Sequence, residues 1–350
     1  LRTTRPLTYD YGYRDRVLGC FFGGAVGDAF GYAVEFETLK TIKQRHGPRG
    51  LEEPIYTNGR LIVSDDTQMT LFTGEALAVA LSTESQEVPS DETILSTIRN
   101  AYLNWLDTQQ ERFEDAISAE GLLAYPEVWR TRAPGNTCLQ ALREGGIGTC
   151  ERPINNSKGC GGVMRVAPIG LVRRFDNRRA FDLGAGAAAL THGHPSGFLS
   201  AAALSGLIHD LISGADLEGA VAVALERLGR LSESDEVVQA IALSRSILLA
   251  DESAPEFIPE ELGEGWTGEE ALAIALYTTG RAENFRELMR LASNHDGDSD
   301  STASIAGQIW GARKGLSDIP HDWIRRLDIF DAICEVAAAI IEIDGSRNVN

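Results

Sequence analysis

Two short runs alternate carboxylates with hydroxyls: Ser64-Asp65-Asp66-Thr67 and His295-Asp296-Gly297-Asp298-Ser299-Asp300-Ser301-Thr302. Each opens a stretch with helical apolar spacing, where one Ser or Asp would serve as an N-cap. Capping accounts for one residue in each run but not for the rest. Residues two apart in extended or turn backbone point the same way, so Asp298 and Asp300 can aim at one point. A calcium loop is a second reading, because Asp296, Asp298 and Asp300 fit its ligand positions 1, 3 and 5. That match then fails, with Ser301 where the loop needs Gly and Gly307 where it needs a bidentate Glu. The third reading, which we prefer, is a hard-metal site completed from both runs. Ser64, Asp65, Asp66, Asp298, Asp300 and Ser301 offer only oxygen, which suits Mg²⁺ or Mn²⁺. Their carboxylates carry enough charge for two divalent ions.

Other segments carry further chemistry. Glu35 closes the charge-poor run Ala29-Phe30-Gly31-Tyr32-Ala33-Val34. It is either a surface acid at a helix end or, facing a cleft, an acid with a raised pKa suited to proton transfer. Gly159-Cys160-Gly161-Gly162-Val163-Met164-Arg165 precedes another helical stretch. Its glycines expose backbone N–H groups that can cradle phosphate, or they form a plain interhelical turn. Thr191-His192-Gly193-His194-Pro195 places two of the six histidines in one loop, where they are expected to line a pocket. Gly184-x-Gly186-x-x-Ala189 follows a helical pattern and not a strand, so it is no dinucleotide fingerprint.

The elements that must position these groups are helices. Residues 15–34 place Leu18, Phe21, Phe22, Val26, Ala29 and Phe30 on one face. Gly19, Gly23, Gly24 and Gly27 lie on the same stretch, against helix propensity, and imply that another backbone packs closely on it. Further helical windows fall at about 67–81, 91–106, 163–174, 178–190, 196–213, 217–229, 235–249, 268–278, 284–293, 302–314 and 322–343. Leu61-Ile62-Val63 is too short for a sheet, so the fold class is all-α.

Composition limits the function. The chain has 350 residues with 32 Lys+Arg against 51 Asp+Glu, a formal charge of −19. Non-specific nucleic-acid binding and docking on an anionic membrane both need basic surface, so both are disfavoured. Hydrophobic residues at 43% and charged residues at 24% describe a folded globular protein. Five cysteines without a C-x-x-C pair, and no signal-peptide pattern, point to reduced thiols and a cytoplasmic location. Two segments stand apart. Residues 1–14 carry Tyr9, Tyr11 and Tyr13 among arginines, and residues 251–270 carry eight acids and no Lys or Arg. Both read first as solvated surface. The sharper readings are a partner-binding arm and a specificity insertion near a cleft.

The motif order Gly27-Asp28…Glu35, Ser64–Thr67, Gly159–Arg165, Thr191–Pro195 and Gly297–Ser301 resembles the ADP-ribosylglycohydrolase family. The resemblance implies one compact helical domain over 15–350, preceded by an extension at 1–14. It implies two Mg²⁺ or Mn²⁺ ions on Ser64, Asp65, Asp66, Asp298, Asp300 and Ser301. It gives Glu35, with Asp65 and Asp300, the catalytic roles, and it places Gly159, Cys160, Gly161, Gly162, Met164, Arg165 and His192 against ADP-ribose. Cys160 stands where many members have Asn. The expected reaction is release of ADP-ribose from a modified protein side chain, most simply arginine. A second expectation is an immunity protein that blocks an ADP-ribosyltransferase through residues 1–14.

Overall fold

The computed structural model describes residues 10–82, 88–113, 119–250 and 256–345. Among them are fifteen α-helices, three isolated bridge pairs and no strand, as the all-α reading expects. The first half runs α1 (Tyr11–Tyr32), α2 (Leu39–His46), α3 (Asp65–Leu81), α4 (Asp91–Gln110), α5 (Asn136–Arg143), α6 (Ala167–Gly170) and α7 (Asn177–Ala189). The second runs α8 (Pro195–Ile212), α9 (Leu217–Leu228), α10 (Asp235–Ala250), α11 (Gly268–Arg281), α12 (Phe285–Ser293), α13 (Ser299–Lys314), α14 (His321–Ile324) and α15 (Phe330–Gly345). No helix of the described residues is long and apolar enough to cross a membrane.

The glycines of α1 have the packing role their spacing implies. A Cβ on Gly23 would stand 2.3 Å from Gly307 O, one on Gly27 2.1 Å from Ala303 O, and one on Gly31 2.1 Å from Ser299 O. From the other side, a Cβ on Gly307 would lie 2.0 Å from Gly23 O. Helices α1 and α13 therefore touch backbone to backbone along several turns, closer than side chains would allow. This seam brings the end of α1, with Asp28 and Glu35, to the start of α13, with Asp298 and Asp300. The remaining core wraps it: Phe30 and Phe285 pack on Trp323, and α3 is covered by α4 and α15.

Three sequence expectations change. The 163–174 window holds only the single turn α6. Pro168 lacks the N–H that would continue the helix onto Met164 O, and Gln308 Nε2 (2.8 Å) and Thr70 Oγ1 (3.3 Å) bond that carbonyl instead. The 322–343 window is split at residues 325–329, where Asp328 N donates to Leu61 O (3.0 Å) and Leu61 N to Arg326 O (2.7 Å). The first helix starts at Tyr11 and not at residue 15, so the end of the expected arm is part of the fold. Tyr13 is buried and its hydroxyl donates to Leu171 O (2.8 Å), while residues 1–9, including Tyr9, lie outside the described residues.

Candidate active site

Local capping explains how each acidic run is held. Ser64 is the N-cap of α3, its hydroxyl accepting from Asp66 N at 3.2 Å. Behind the turn lies Asp28, fully buried, whose carboxylate accepts from Ser64 N (2.8 Å), Thr67 N (3.0 Å) and the Thr67 hydroxyl. Asp65 N donates to Arg132 O (3.2 Å), and the Arg132 guanidinium holds Val63 O (2.8 Å) and pairs with Asp328. Asp298 is the N-cap of α13 and its backbone N–H donates to Glu264 O (2.9 Å). Ser301 N donates to Asp300 Oδ1 at 3.0 Å.

These caps leave the functional carboxylates pointing into one cleft. Glu35, Asp298 and Asp300 each bring a carboxylate oxygen within 4.8 Å of the others. Asp65, Asp66 and Ser301 line the same cleft, with Gly159, Cys160, Gly161, Met164 and His192 on the facing wall. Buried oxygens Glu35 Oε2 and Asp66 Oδ2 have no hydrogen-bond partner. Burial pushes the Glu35 carboxyl up to about 8, with Asp298 and Asp65 adding repulsion. Desolvation and neighbouring acids hold Asp65, Asp66 and Asp300 well above the usual carboxylate range. Orphaned buried oxygens and crowded like charges are what a cation would satisfy, so the donor set fits one or more hard divalent ions.

The other candidates divide. His192 is buried, with Nδ1 on the Thr191 hydroxyl (2.8 Å) and Nε2 toward Gly161. Burial and the Arg165 charge lower its pKa to about 3, so the ring is neutral. Arg165 does not line the cleft. It is fully buried and bonds Thr191 Oγ1 (2.6 Å), Ala187 O (3.3 Å) and Cys138 Sγ (3.3 Å), so it braces the His192 loop from behind. Gly162 is buried against Ala188 and Gly197. Ser64, also fully buried, faces its own cap. Asp296 turns away, accepting from Leu39 N at 2.7 Å.

The acidic 251–270 segment is not uniformly solvated. Asp251 and Glu252 lie outside the described residues, but Glu269 is buried and paired with Lys158 at 2.7 Å. Trp266, half exposed, lines the cleft, and its carbonyl accepts from Cys160 N at 3.1 Å. This segment therefore forms part of the cleft rim, as the sharper reading expects. The sequence reading assigns no site role to Asp28, Arg132 or Asp328, whereas Trp266 belongs to the segment it places near a cleft. Asp28 sat within a quoted motif, whereas the Arg132–Asp328 pair joins distant segments and leaves no local signal.

Comparison with known proteins bears on the same arrangement. The ADP-ribosylglycohydrolase family model matches residues 10–349. The chain is 25% identical over 324 residues to the ADP-ribosyl-[dinitrogen reductase] glycohydrolase of Rhodospirillum rubrum, covering 90% of this chain and 91% of that one. It is 24% identical to the ADP-ribosylarginine hydrolase Tri1 of Pseudomonas putida, over 89% of this chain and 74% of the relative. A solved structure described as an ADP-ribosylglycohydrolase-related protein complex superposes with a TM-score of 0.65 at 25% identity, covering 95% of this chain and 99% of that one. With its helical architecture, its two capped acidic runs and a match over nearly its whole length, this chain belongs to the ADP-ribosylglycohydrolase family.

Proposed function

We propose that the protein removes ADP-ribose from modified protein side chains, with arginine the favoured linkage, in a reaction that depends on Mg²⁺ or Mn²⁺. The observation that carries this reading is the convergence of Glu35, Asp298 and Asp300 beside the unpartnered Asp66 Oδ2. The printed names of the R. rubrum and P. putida relatives supply the substrate class. Asp65, Asp66, Asp298, Asp300 and Ser301 line the cleft and are the residues that would hold two ions, with Ser64 holding the turn behind Asp66 as its cap. Bound there, the ions supply positive charge that orients ribose hydroxyls and stabilises charge developing at the scissile bond.

The chain's own residues do the rest. Glu35 stands at the junction of the acidic centre and the cleft, with one oxygen free to take a proton from water or return one to the leaving side chain. Asp65 and Asp300 fix the centre against α3 and α13. Gly159, Cys160, Gly161 and Met164 form the facing wall for the ADP-ribose backbone. The Thr191 hydroxyl, which accepts from Arg165, lies 2.8 Å from His192 Nδ1 and fixes the ring with Nε2 toward the glycine loop, where it can hydrogen-bond a phosphate or ribose group.

The test is a panel of arginine- and serine-ADP-ribosylated proteins, assayed with Mg²⁺, Mn²⁺ or chelator and read by mass spectrometry. Arginine substrates should be cleared only with metal, and Asp300→Ala should lower the rate by at least about a hundredfold while helicity is kept. Wild-type rates from Asp300→Ala, or release unaffected by chelator, would overturn the reading.

A further inference from the structure

The cleft is lined by five carboxylates (Glu35, Asp65, Asp66, Asp298 and Asp300) and by no Lys or Arg. Its facing wall of Gly159, Cys160, Gly161, Met164 and His192 is uncharged, since burial and the Arg165 charge keep His192 neutral. ADP-ribose nevertheless brings a pyrophosphate dianion. Three basic residues adjoin lining residues in sequence: Arg132 beside Ala133, Lys158 beside Gly159 and Arg165 beside Met164. Two of them are neutralised by partners. Arg132 pairs with Asp328, and Lys158 with Glu236 (3.0 Å) and Glu269 (2.7 Å). Arg165, fully buried, has only neutral neighbours: Thr191 Oγ1 (2.6 Å), Ala187 O (3.3 Å), Cys138 Sγ (3.3 Å), Met69 Sδ (3.6 Å) and the Tyr102 ring (4.3 Å). Its Nε has no hydrogen-bond partner. Burial pushes the Cys138 thiol up to about 11 and also raises Tyr102, so neither supplies negative charge near neutral pH. A buried cation without a counter-charge costs folding free energy and needs a reason.

The reason lies on the other side of two side chains. Cys138 Sγ and His192 Nε2 both crowd Gly161, where a Cβ would stand 2.9 and 3.2 Å from them. The guanidinium donates to that sulfur directly, and it reaches the His192 ring through Thr191, whose hydroxyl is 2.8 Å from Nδ1. We propose that Arg165 is a positioning residue whose unpaired charge, acting through Cys138 and His192, draws the pyrophosphate of ADP-ribose onto the glycine loop. The ligand is then the missing counter-ion. A layer of buried side chains screens this attraction far less than water would. Attraction at this wall and repulsion from the acids together set the ligand's direction, with phosphates on the loop and the far ribose toward Glu35. The inference rests on the reading of the cleft as an ADP-ribose site, and its test separates the two.

Calorimetry with Mn²⁺ present gives the affinity of the full-length protein for ADP-ribose and for an analogue with an uncharged malonamide linker in place of the pyrophosphate. Arg165→Met removes the charge at similar length, and Arg165→Lys keeps it. Met69 lies on α3 and does not line the cleft. Met69→Glu therefore sets a carboxylate beside the guanidinium and cancels its charge with Arg165 still in place, and Met69→Gln is the control. ADP-ribose affinity should fall at least about tenfold in Arg165→Met and Met69→Glu, the lower end for close charge pairs across an interface. Arg165→Lys should recover most of it, and Met69→Gln should keep it. Affinity for the uncharged analogue should change far less in all four, with helicity checked in each. Equal losses for the two ligands would make Arg165 only a brace and overturn the proposal, as would equal ADP-ribose affinity in Met69→Glu and Met69→Gln. The Met69 pair decides if Arg165→Met does not fold or the analogue binds too weakly to measure. Wild type that fails to bind ADP-ribose removes the ADP-ribose reading itself. Binding that ignores the charge at Arg165 keeps that reading and removes only the role assigned to Arg165.

Discussion

The Ser64–Thr67 turn has two faces, and acids stand on both. On the inner face Asp28 is fully buried, and both its oxygens are occupied by donors from Ser64 and Thr67. On the outer face Asp66 is almost as buried, yet its Oδ2 has no donor at all. Desolvation raises both, Asp28 to about 6 and Asp66 well above the usual range. Burial therefore does not distinguish them; hydrogen-bond satisfaction does. A buried acid supplied with amide donors is a scaffold, and a buried acid left without them is available to a ligand.

The sharpest way to break this comparison is Asp28→Asn. An amide keeps one acceptor and turns an N–H₂ group toward backbone donors, so at least one buried amide loses its partner. Unfolding in denaturant should show a loss of about 3 kcal/mol, the scale for stranding buried groups that a charged acceptor had satisfied. A change within about 0.5 kcal/mol, typical of neutral surface substitutions, would mean that Asp28 is not the scaffold.

How far the site was legible follows from the same distinction. The outer acids were readable because they come in runs with hydroxyls, more carboxylates than capping can use. The α1 glycines were readable because each one opposes helix propensity and needs a reason. Arg132 and Asp328 were not readable, since an ion pair across the chain has no periodicity or neighbouring motif to mark it. Arg165 was misleading for the opposite reason. It sits in a motif with loop glycines, but its guanidinium turns inward to Thr191, Ala187 and Cys138. The short α2 and α5 escaped because eight residues each give too few apolar positions for a pattern, Ile42 being the one buried residue of α2.

His192 sharpens the comparison on the facing wall. Its folded pKa is about 3, so between there and the ordinary value of 6.5 the unfolded chain binds a proton that the folded ring refuses. Its contribution is therefore intact above pH 6.5 and lost as pH falls toward 3, by about 1.4 kcal/mol per unit while the proton is fully excluded. Asp28 works in the other direction, taking up a proton in the folded state from about pH 6 downward. The difference between wild type and His192→Asn isolates the ring. Unfolding across this range should show a flatter acid limb in the variant, and equal slopes would mean that the folded imidazole titrates normally.

The smallest expected effect has the opposite sign and bears most directly on what the outer face is for. Asp66→Asn removes one charge from a group of crowded carboxylates and, at Oδ2, breaks no hydrogen bond. Without metal, stability near neutral pH should rise by about 1 kcal/mol or less, against the loss expected from the same chemical change at Asp28. Adding Mn²⁺ should reverse the ranking. A ligand at a hundred times its dissociation constant stabilises the folded state by about 2.7 kcal/mol. Wild type should gain that increment and the variant most of it should lack. Paired unfolding curves, with and without Mn²⁺, measure both terms on the same protein. If Asp66→Asn instead weakens the metal-free fold as much as Asp28→Asn does, then Asp66 is scaffold too. The unsatisfied oxygen would then no longer mark a place kept for a cation.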